Sequence, residues 1–155
     1  MAGLTTRVYD CWTGLLKMIN TVHGDGVQTG FVDPGRDVEH ETICVVGTVE
    51  NPENRQNWAT LGQRSRDELF GLLVVFWAAE PGQAADEAMA RLRELTDPVE
   101  AALRTVAGSQ PTKWLQLGVT GVVWAEAASV APEVILGTQG YVGYCEMTVA
   151  IKARI

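Results

Sequence analysis

The stretch "NWATLGQRSRDELFGLLVVFW", residues 57–77, joins a polar, charged approach to a run of almost wholly apolar residues. Successive side chains of a β-strand point to opposite faces of the sheet, and this run is apolar at both sets of alternate positions. The two sets are Phe70, Leu72, Val74 and Phe76, and Leu69, Leu73, Val75 and Trp77. We therefore predict a central strand over about residues 63–78 that has protein on both of its faces.

Two helices are predicted, one on each side of this strand in the sequence. Residues 5–22 repeat apolar side chains at spacings of three and four, which is typical of one helical face. These side chains are Val8, Cys11, Trp12, Leu15, Ile19 and Val22. Residues 82–108 carry a second apolar face that continues across Pro98, which predicts one kinked helix or two nearly continuous helices. Its members are Ala85, Ala88, Met89, Leu92, Leu95, Val99, Ala102, Leu103 and Val106.

Four further strands complete the pattern, two before the central strand and two after the second helix. Their ranges are 27–33, 41–49, 113–127 and 140–155, and the last alternates most clearly with a period of two. The sequence "DPGRD" (33–37) between the first two is turn chemistry. Residues 129–139 are predicted as a connection or a hairpin arm, and residues 50–61 as a mobile polar loop.

The resulting order, α-β-β-β-α-β-β, favours an α+β fold, a mostly antiparallel β-sheet with two helices packed on one face. With 155 residues, we expect a single domain (1–155) that buries roughly 70% of the surface its unfolded chain exposes. Two helices cover only one face of the sheet. The apolar second face then needs another subunit, a sheet that curls on itself, or arms of the chain folded over it.

The charge of the chain limits its partners. A net charge of −7 argues against general affinity for nucleic acid, which needs Lys and Arg to displace counterions from phosphates. Acids concentrate in one segment, at Asp25, Asp33, Asp37, Glu39, Glu41, Glu50 and Glu53. Such a segment is either a set of solvated loops or a match for a basic partner surface.

Cysteine usage and the length of the apolar runs indicate where the protein works. Cys11, Cys44 and Cys145 lie far apart and form no CxxC pair, which predicts buried thiols in a reducing compartment. The chain does not open with the pattern of a secretion signal. Its longest apolar run, residues 69–79, is shorter than the about 20 residues that span a bilayer. We therefore expect assembly in the cytoplasm and no membrane partner.

The sequence offers little for catalysis. His23 and His40, with Asp25 and Glu41 beside them, lack the spacing of a metal site such as HxxxH. The GxSxG, HExxH and Walker motifs are absent from the sequence, and its glycines fit turns rather than a nucleotide loop. The sequence therefore predicts no enzyme, no metal and no cofactor.

The polar approach to the central strand carries the candidate contact residues. Trp58 lies in a polar loop, where a large ring either folds back onto the core or waits for a partner. Arg64 and Arg66 point to one side of the incoming strand, and either stay in water or pair with acids such as Glu50 or Glu53 of another subunit. The full set of predicted interface residues is Asp33, Arg36, Glu39, Glu50, Glu53, Arg55, Trp58, Arg64 and Arg66.

The segment "NWATLGQRSRDELFGLLVVFWA" (57–78) resembles the pattern "EWA-LG-R-R-E-F-I---VWA" of tail terminator proteins from long-tailed bacteriophages. The resemblance continues in order along nearly the whole chain. It takes in "VYDCWTGLL" (8–16), "VQTGFVDPG" (27–35), "ETICVVG" (41–47), "ARLRELTDPVEAALR" (90–104) and the final "CEMTVAIKARI" (145–155). The chain departs from the family where Gln56-Asn57 precedes Trp58 in place of the usual acid, and where Pro98 interrupts the helix.

The resemblance implies an α+β subunit of a hexameric ring that caps a completed tail tube, stops tube polymerisation and offers a surface for joining the head. The implied partners are further copies of the chain, the tail tube protein, and a head connector or stopper protein. DNA passes through the ring without sequence-specific binding, which suits an acidic chain. The implied location is the head-proximal end of the virion tail, and the resemblance implies no enzymatic activity.

Two alternatives stay open. Another neck or tail protein, such as a head–tail completion protein or a tail tube subunit, would have a similar sheet. A tube subunit polymerises into long tubes, whereas a terminator stops at rings. A small α+β ligand-binding domain or enzyme would instead line a polar pocket with His23, His40 and acids.

Overall fold

The computed structural model describes residues 4–35, 38, 40–49, 56–57, 67–103, 119 and 122–154. Two helices, a single 3-10 turn (Gly24–Gly26) and six strands lie within these residues. In chain order the helices and strands are α1 (Leu4–His23), β1 (Gln28–Gly30), β2 (Thr42–Val49), β3 (Gln56–Asn57), β4 (Asp67–Ala78), α2 (Ala85–Ala102), β5 (Val122–Gly137) and β6 (Gly140–Arg154).

The predicted fold class and element order are confirmed. The strands follow the order β1-β2-β4-β6-β5, so the strand predicted to be central lies in the middle of the sheet. All pairs along this path are antiparallel except β1 with β2, which run parallel. An addition within the predicted loop 50–61 is the two-residue strand β3, which pairs with the start of β4.

Both helices pack on one face of the sheet, as predicted, and the main core lies between them and the strands. Its largest fully buried side chains come from α1, from the residue that caps the end of α2, and from β2, β4 and β6. They include Leu15, Met18, Ile19, Ile43, Leu72, Phe76, Leu103, Met147 and Ile151. Burial of apolar surface is worth about 25 cal/mol per Å². This layer is therefore the main source of the stability of the fold.

The opposite face of the sheet, called here the second face, carries a smaller apolar cluster near one end of β4. Val75, Trp77, Ala79 and Val142 are buried in it. Five half-buried side chains pack against them: Val38, Val46, Leu73, Ile135 and Tyr144. Most of β4 is therefore buried on both faces, but the second face is less completely covered than the helix face.

Local sequence sets the ends of the helices. α1 ends at His23, and Gly24 follows with a φ of +68°, a left-handed conformation that favours glycine. α2 carries Asp86 and Glu87 in its first turn, where the helix dipole favours carboxylates. α2 continues through Pro98 as one helix, so the single-helix alternative is right. Residues 104–108 of the predicted helix lie outside the described residues.

The fourth predicted strand, 113–127, corresponds to β5, and residues 113–118, 120 and 121 of that prediction lie outside the described residues. β5 continues beyond residue 127 and pairs with β6 as far as the tight turn at Thr138 and Gln139, so residues 129–137 form the hairpin arm rather than a separate connection. Pro132 does not end the strand, because β5 is an edge of the described sheet. On an edge strand a proline can face away from the ladder without removing one of its hydrogen bonds.

Candidate assembly surfaces

Residues 31–35, the cover segment, lie across the second face of the sheet. Asp33 Oδ1 accepts a hydrogen bond from Trp77 Nε1 at 2.7 Å, and the Cys44 thiol donates to the Val32 carbonyl oxygen at 3.1 Å. These two contacts tie the cover segment to β4 and to β2. The chain therefore folds over part of its own second face, which is one of the covers predicted from the sequence.

The turn in the cover segment follows from its residues Asp33, Pro34 and Gly35. Asp33 Oδ1 also accepts a hydrogen bond from the backbone N–H of Gly35 at 2.9 Å, and Gly35 has a φ of +84°. An aspartate that bonds the backbone two residues on is a common turn former, and glycine supplies the positive φ. The turn predicted here is confirmed as far as Gly35, while Arg36 and Asp37 lie outside the described residues.

Two titratable groups near the cover segment, the Cys44 thiol and the Tyr144 hydroxyl, have raised pKa values. Burial, followed by the Asp33 carboxylate, raises the pKa of the Cys44 thiol to about 11. Burial, followed by the hydrogen bond to Glu146, raises the pKa of Tyr144. The Tyr144 hydroxyl donates this bond to Glu146 Oε1 at 2.5 Å, and its ring packs against Trp77 with centroids 4.5 Å apart. This part of the second face therefore combines neutral aromatic groups with exposed carboxylates.

The three cysteines are buried thiols outside any disulfide, as predicted. On the helix face, burial raises the pKa of Cys145 to about 11. A thiolate rather than a thiol is the nucleophile, and neither Cys44 nor Cys145 is ionised near neutral pH. These two thiols therefore act as small core side chains.

Trp12 covers the edge of β2 beyond the end of β1. The last register pair of β1 and β2 joins Gly30 to Cys44. The indole Nε1 of Trp12 donates to the next carbonyl oxygen along β2, that of Val45, at 2.5 Å. The side chain thus supplies the hydrogen bond that a longer β1 would have made.

Further aromatic residues extend from Trp12 to the surface. Tyr9 stacks on Trp12 with centroids 6.3 Å apart, and Phe31 meets it edge-on at 5.8 Å. Tyr9 is 58% exposed, Phe31 47% and the neighbouring Val32 80%. We call Tyr9, Trp12, Phe31 and Val32 the α1 patch, since it lies between α1 and the β1 edge of the sheet.

A second exposed apolar surface lies at the β5 edge. Met89 on α2 and Leu136 on β5 are 63% and 65% exposed, Val130 is 42% exposed, and Tyr141 is 40% exposed and pairs with Leu136 across the hairpin. We call these four residues the β5 patch. Met89 and Val134 also line an open groove of about 790 Å³ between α2 and β5.

The tip of the β5–β6 hairpin is fastened to the start of α2. The buried side-chain amide of Gln83 donates to the carbonyl oxygens of Tyr141 at 2.9 Å and Ala78 at 3.1 Å. The backbone N–H of Gly82 donates to the Gln139 carbonyl oxygen at 2.6 Å. The β5 patch is therefore held in place before any partner binds.

The polar residues that the sequence offers for chemistry make contacts within the chain. His23 Nε2 donates to the Leu95 carbonyl oxygen at 2.9 Å and so joins the end of α1 to α2. Glu41 pairs with Arg91, which also pairs with Glu94 at 2.9 Å. His40 lines an open polar pocket with Glu41, Arg91 and other residues. No three His, Cys, Asp or Glu side chains in the described part of the chain could hold a metal ion together.

Among the nine predicted interface residues, Asp33 lies in the described part of the chain, and there it anchors the cover segment. The other eight lie outside the described residues: Arg36, Glu39, Glu50, Glu53, Arg55, Trp58, Arg64 and Arg66. Met89 was predicted to lie on the apolar face of the second helix, and its exposure is a correction. Periodicity places it on the apolar side of α2 but does not indicate that the described sheet ends at β5, beside it. None of the described helices is long and apolar enough to cross a bilayer.

Comparisons with known proteins match the chain through its fold. No protein-family model matches it, and neither does any curated protein. Among solved structures, one chain of the virion of a native gene transfer agent particle is similar, with a TM-score of 0.58 and 8% sequence identity. The alignment covers 99% of this chain and 100% of that chain. At this identity the likeness concerns the fold.

Proposed function

We propose that this chain is a structural virion protein that caps a completed phage tail tube as a ring. In this role it ends polymerisation of the tube and provides the surface on which the head is joined. The ring is a homo-oligomer, a hexamer in the virion, and DNA passes through it without sequence-specific binding. Its other partners are the tail tube protein and a head connector or stopper protein.

The observation that carries the proposal is that the whole chain has the fold of a whole chain from a virion particle. A likeness that covers almost the whole of both chains is more informative than a shared small motif, because the two chains agree in size as well as in fold. The resemblance of residues 57–78 and of the segments around them to tail terminators supports the finer assignment to the tail end.

The surface chemistry of the described residues also favours an assembly role. The candidate nucleophiles Cys44 and Cys145 have raised pKa values and are buried. Large apolar side chains are instead exposed at the α1 patch and the β5 patch. Exposed apolar groups gathered at two sites are suited to permanent contacts with other proteins.

The predicted interface residues enter the proposal as contacts with neighbouring subunits or with the tail tube. Asp33 contributes through the cover segment that it anchors. The remaining candidates are Arg36, Glu39, Glu50, Glu53, Arg55, Trp58, Arg64 and Arg66. We propose that the loop predicted from the sequence at about 50–61 settles only when the ring meets the tube, and that the chain acts as a single domain.

Light scattering and negative-stain electron microscopy of the purified chain test this proposal over a series of protein and salt concentrations. The expected result is closed rings of uniform diameter at high concentration. When tail tubes assembled from the tube protein of the same virion are added, one ring should sit at one end of each tube. Tubes mixed with the chain during assembly should become shorter as its concentration rises.

Two outcomes would contradict the terminator role. Long tubes formed by the chain alone would identify it as a tube subunit, which is the nearest alternative. A chain that stays monomeric and never docks on a tube end would remove the capping role. A head–tail completion protein would bind the connector side and leave tube length unchanged.

The enzyme or ligand-binding alternative makes a separate prediction. Its residues are His40 and the neighbouring acids of the open polar pocket, together with His23. His40→Ala leaves ring formation and tube capping unchanged if the chain is structural. Loss of a measurable binding or catalytic activity in this variant, with the fold intact by circular dichroism, would favour the alternative.

A further inference from the structure

We infer that copies of this chain join through two different surfaces, with the α1 patch of one copy seated on the β5 patch of the next. This pairing rests on the proposed ring, because a ring needs each subunit to offer one surface to each neighbour. It adds to that proposal by naming the two surfaces. The partner of each patch is therefore a second copy of this chain.

The two patches lie at opposite edges of the described sheet. β1 and β5 are the first and last strands of the order β1-β2-β4-β6-β5. Phe31 and Val32 of the α1 patch follow β1 directly, while Val130 and Leu136 of the β5 patch belong to β5 itself. Contacts between such surfaces place successive copies side by side in one direction.

Both patches expose more large apolar surface than scattered surface residues would. The α1 patch offers the rings of Tyr9 and Phe31 and the side chain of Val32, which are between 47% and 80% exposed. The β5 patch offers Met89 and Leu136 beside an open groove of about 790 Å³. Aromatic side chains that fill a pocket are the usual anchors of protein interfaces. The groove is the natural seat for the aromatic side chains of a second copy.

The helices that carry the patches differ in net charge. The described side chains of α1 include one base and one acid, Lys17 and Asp10. α2 has two bases and five acids, a net charge of −3, namely Arg91, Arg93, Asp86, Glu87, Glu94, Asp97 and Glu100. Like charges across an interface suppress the wrong pairings. Pairing of α2 with the less acidic α1 is therefore favoured over pairing of α2 with itself.

Sheet extension along the whole of β5 is a poorer way to join two copies. Pro132 lies in the middle of β5 and has no N–H to donate to an added strand. Side chains therefore carry this interface, through the groove between α2 and β5. The anchoring of the hairpin tip by Gln83 keeps the groove open in the free chain, so little ordering is needed on binding.

Two different surfaces give a heterologous interface, and this has a consequence that a two-fold dimer does not share. Each copy can bind one neighbour on each side, so copies add in series until the ring closes. Damage to one patch leaves the other patch able to bind. Two differently damaged chains can then still form one intact interface with each other.

The experiment uses the full chain with one glutamate placed in each patch. Tyr9→Glu alters the α1 patch and Met89→Glu alters the β5 patch, both on helices and at exposed positions. Ala101→Glu is the matched control, since Ala101 is also exposed on α2 but lies outside the β5 patch. Circular dichroism and urea unfolding check that all variants fold as the natural chain does.

The expected result has three parts. Tyr9→Glu and Met89→Glu each raise the dissociation constant for self-association at least tenfold, as measured by sedimentation velocity, while Ala101→Glu leaves it unchanged. An equal mixture of Tyr9→Glu and Met89→Glu forms one-to-one heterodimers in native mass spectrometry and grows no further. The chain with both substitutions stays monomeric in every mixture.

Three results would overturn the pairing. They are a natural chain that stays monomeric at the highest soluble concentration, single variants that assemble as well as the natural chain, and a mixture that forms no heterodimer. If heterodimers form but the natural chain assembles without ever capping a tube, the pairing stands and the proposed function fails. If rings cap tubes but the mixture fails to complement, the function stands and the pairing fails.

Discussion

The two faces of β4 carry similar apolar residues but are covered in different ways. On one face, Leu72, Val74 and Phe76 are fully buried under two helices. On the other, Val75 and Trp77 are buried while Leu73 is only half buried. There the cover described is a short segment fixed by side-chain hydrogen bonds to Asp33 and Val32. One strand thus faces both a permanent core and a surface that a partner can still complete.

This difference separates the side chains that stabilise the folded chain from those that can contact another protein. The helix face supplies apolar burial that no partner needs to provide, so the chain can fold before it assembles. In the described part of the chain, the second face is covered by the cover segment and by side chains of β5 and β6, and Leu73 there is only half buried. Substitutions on the helix face should therefore lower the free energy of unfolding. Those on the second face should mostly change how firmly the cover segment is held and which contacts the surface can make.

The largest expected effect comes from truncating a leucine on each face of β4. Leu72→Ala removes a fully buried side chain and should lower the free energy of unfolding by about 2–5 kcal/mol. Leu73→Ala makes the same chemical change on the half-buried second face and should cost less than half as much. Urea unfolding of the monomeric chain at low concentration measures both values.

This pair also checks the comparison itself. Equal losses from Leu72→Ala and Leu73→Ala would mean that the second face is as completely covered as the helix face. A larger loss from Leu73→Ala at high protein concentration than at low concentration would locate a subunit contact there. In that case the added loss should disappear on dilution.

The next effect comes from adding one methyl group to a glycine on each face. A Cβ at Gly143 would lie 2.8 Å from the Ala88 carbonyl oxygen of α2, which is backbone and cannot turn aside. Gly143→Ala should therefore push α2 away and cost about 1–3 kcal/mol. A Cβ at Gly71, on the second face, would meet the Thr148 methyl group at 3.2 Å.

Gly71→Ala is the matched control, because the Thr148 side chain can give way and alanine suits a strand better than glycine does. We expect a change within about 0.5 kcal/mol. Thermal unfolding of both variants gives the comparison directly. If the Gly143→Ala chain were as stable as the natural one, α2 could move away from β6 without loss of stability. That result would contradict the tight packing of α2 on Gly143.

The third effect concerns how firmly the cover segment is held. Asp33→Ala removes the acceptor for Trp77 Nε1, and a hydrogen bond to a charged group contributes about 1.5–3 kcal/mol. The segment should open more often, so the rate at which maleimide labels Cys44 beneath it should rise on the order of tenfold or more. Peptide mapping by mass spectrometry locates the label.

Cys145 serves as the internal control for this measurement, since it is buried on the helix face of the same sheet. Its labelling rate should not change in Asp33→Ala. Asp10→Ala removes an exposed acid of α1 instead and should leave both rates unchanged. Equal acceleration of both cysteines would indicate global unfolding and would contradict a locally held cover.

The sequence predicted the elements whose pattern is local and left out the features that depend on distant contacts. A continuous apolar run located β4, period-two alternation located β6, and helical spacing located α1 and α2, because each pattern extends over ten or more residues. The bond between Asp33 and Trp77 joins residues 44 positions apart, and no local pattern marks it. The exposure of Met89 depends on where the sheet ends, which is decided by β5 far along the chain. Predicted contact residues such as Trp58 and Arg64 lie outside the described residues and stay predictions.

The smallest expected effect is a loss of stability at alkaline pH, to which one cysteine on each face contributes. Burial raises the pKa of Cys44 and of Cys145 from an ordinary 9.0 to about 11. Unfolded thiols ionise as the pH rises through about 9, while the folded thiols stay protonated. Their contribution to stability is therefore complete below pH 9 and falls between pH 9 and 11, by at most about 1.4 kcal/mol per pH unit for each thiol.

Urea unfolding at pH 8, 9 and 10 measures this slope, and the cysteine variants separate the two faces. Cys145→Ala should remove its share of the slope completely, because the helix face keeps that thiol protonated in the folded chain. Cys44→Ala should remove a smaller share if the cover segment opens often enough for Cys44 to ionise without unfolding. Equal shares would mean that the short segment at Asp33 excludes water as well as two helices do.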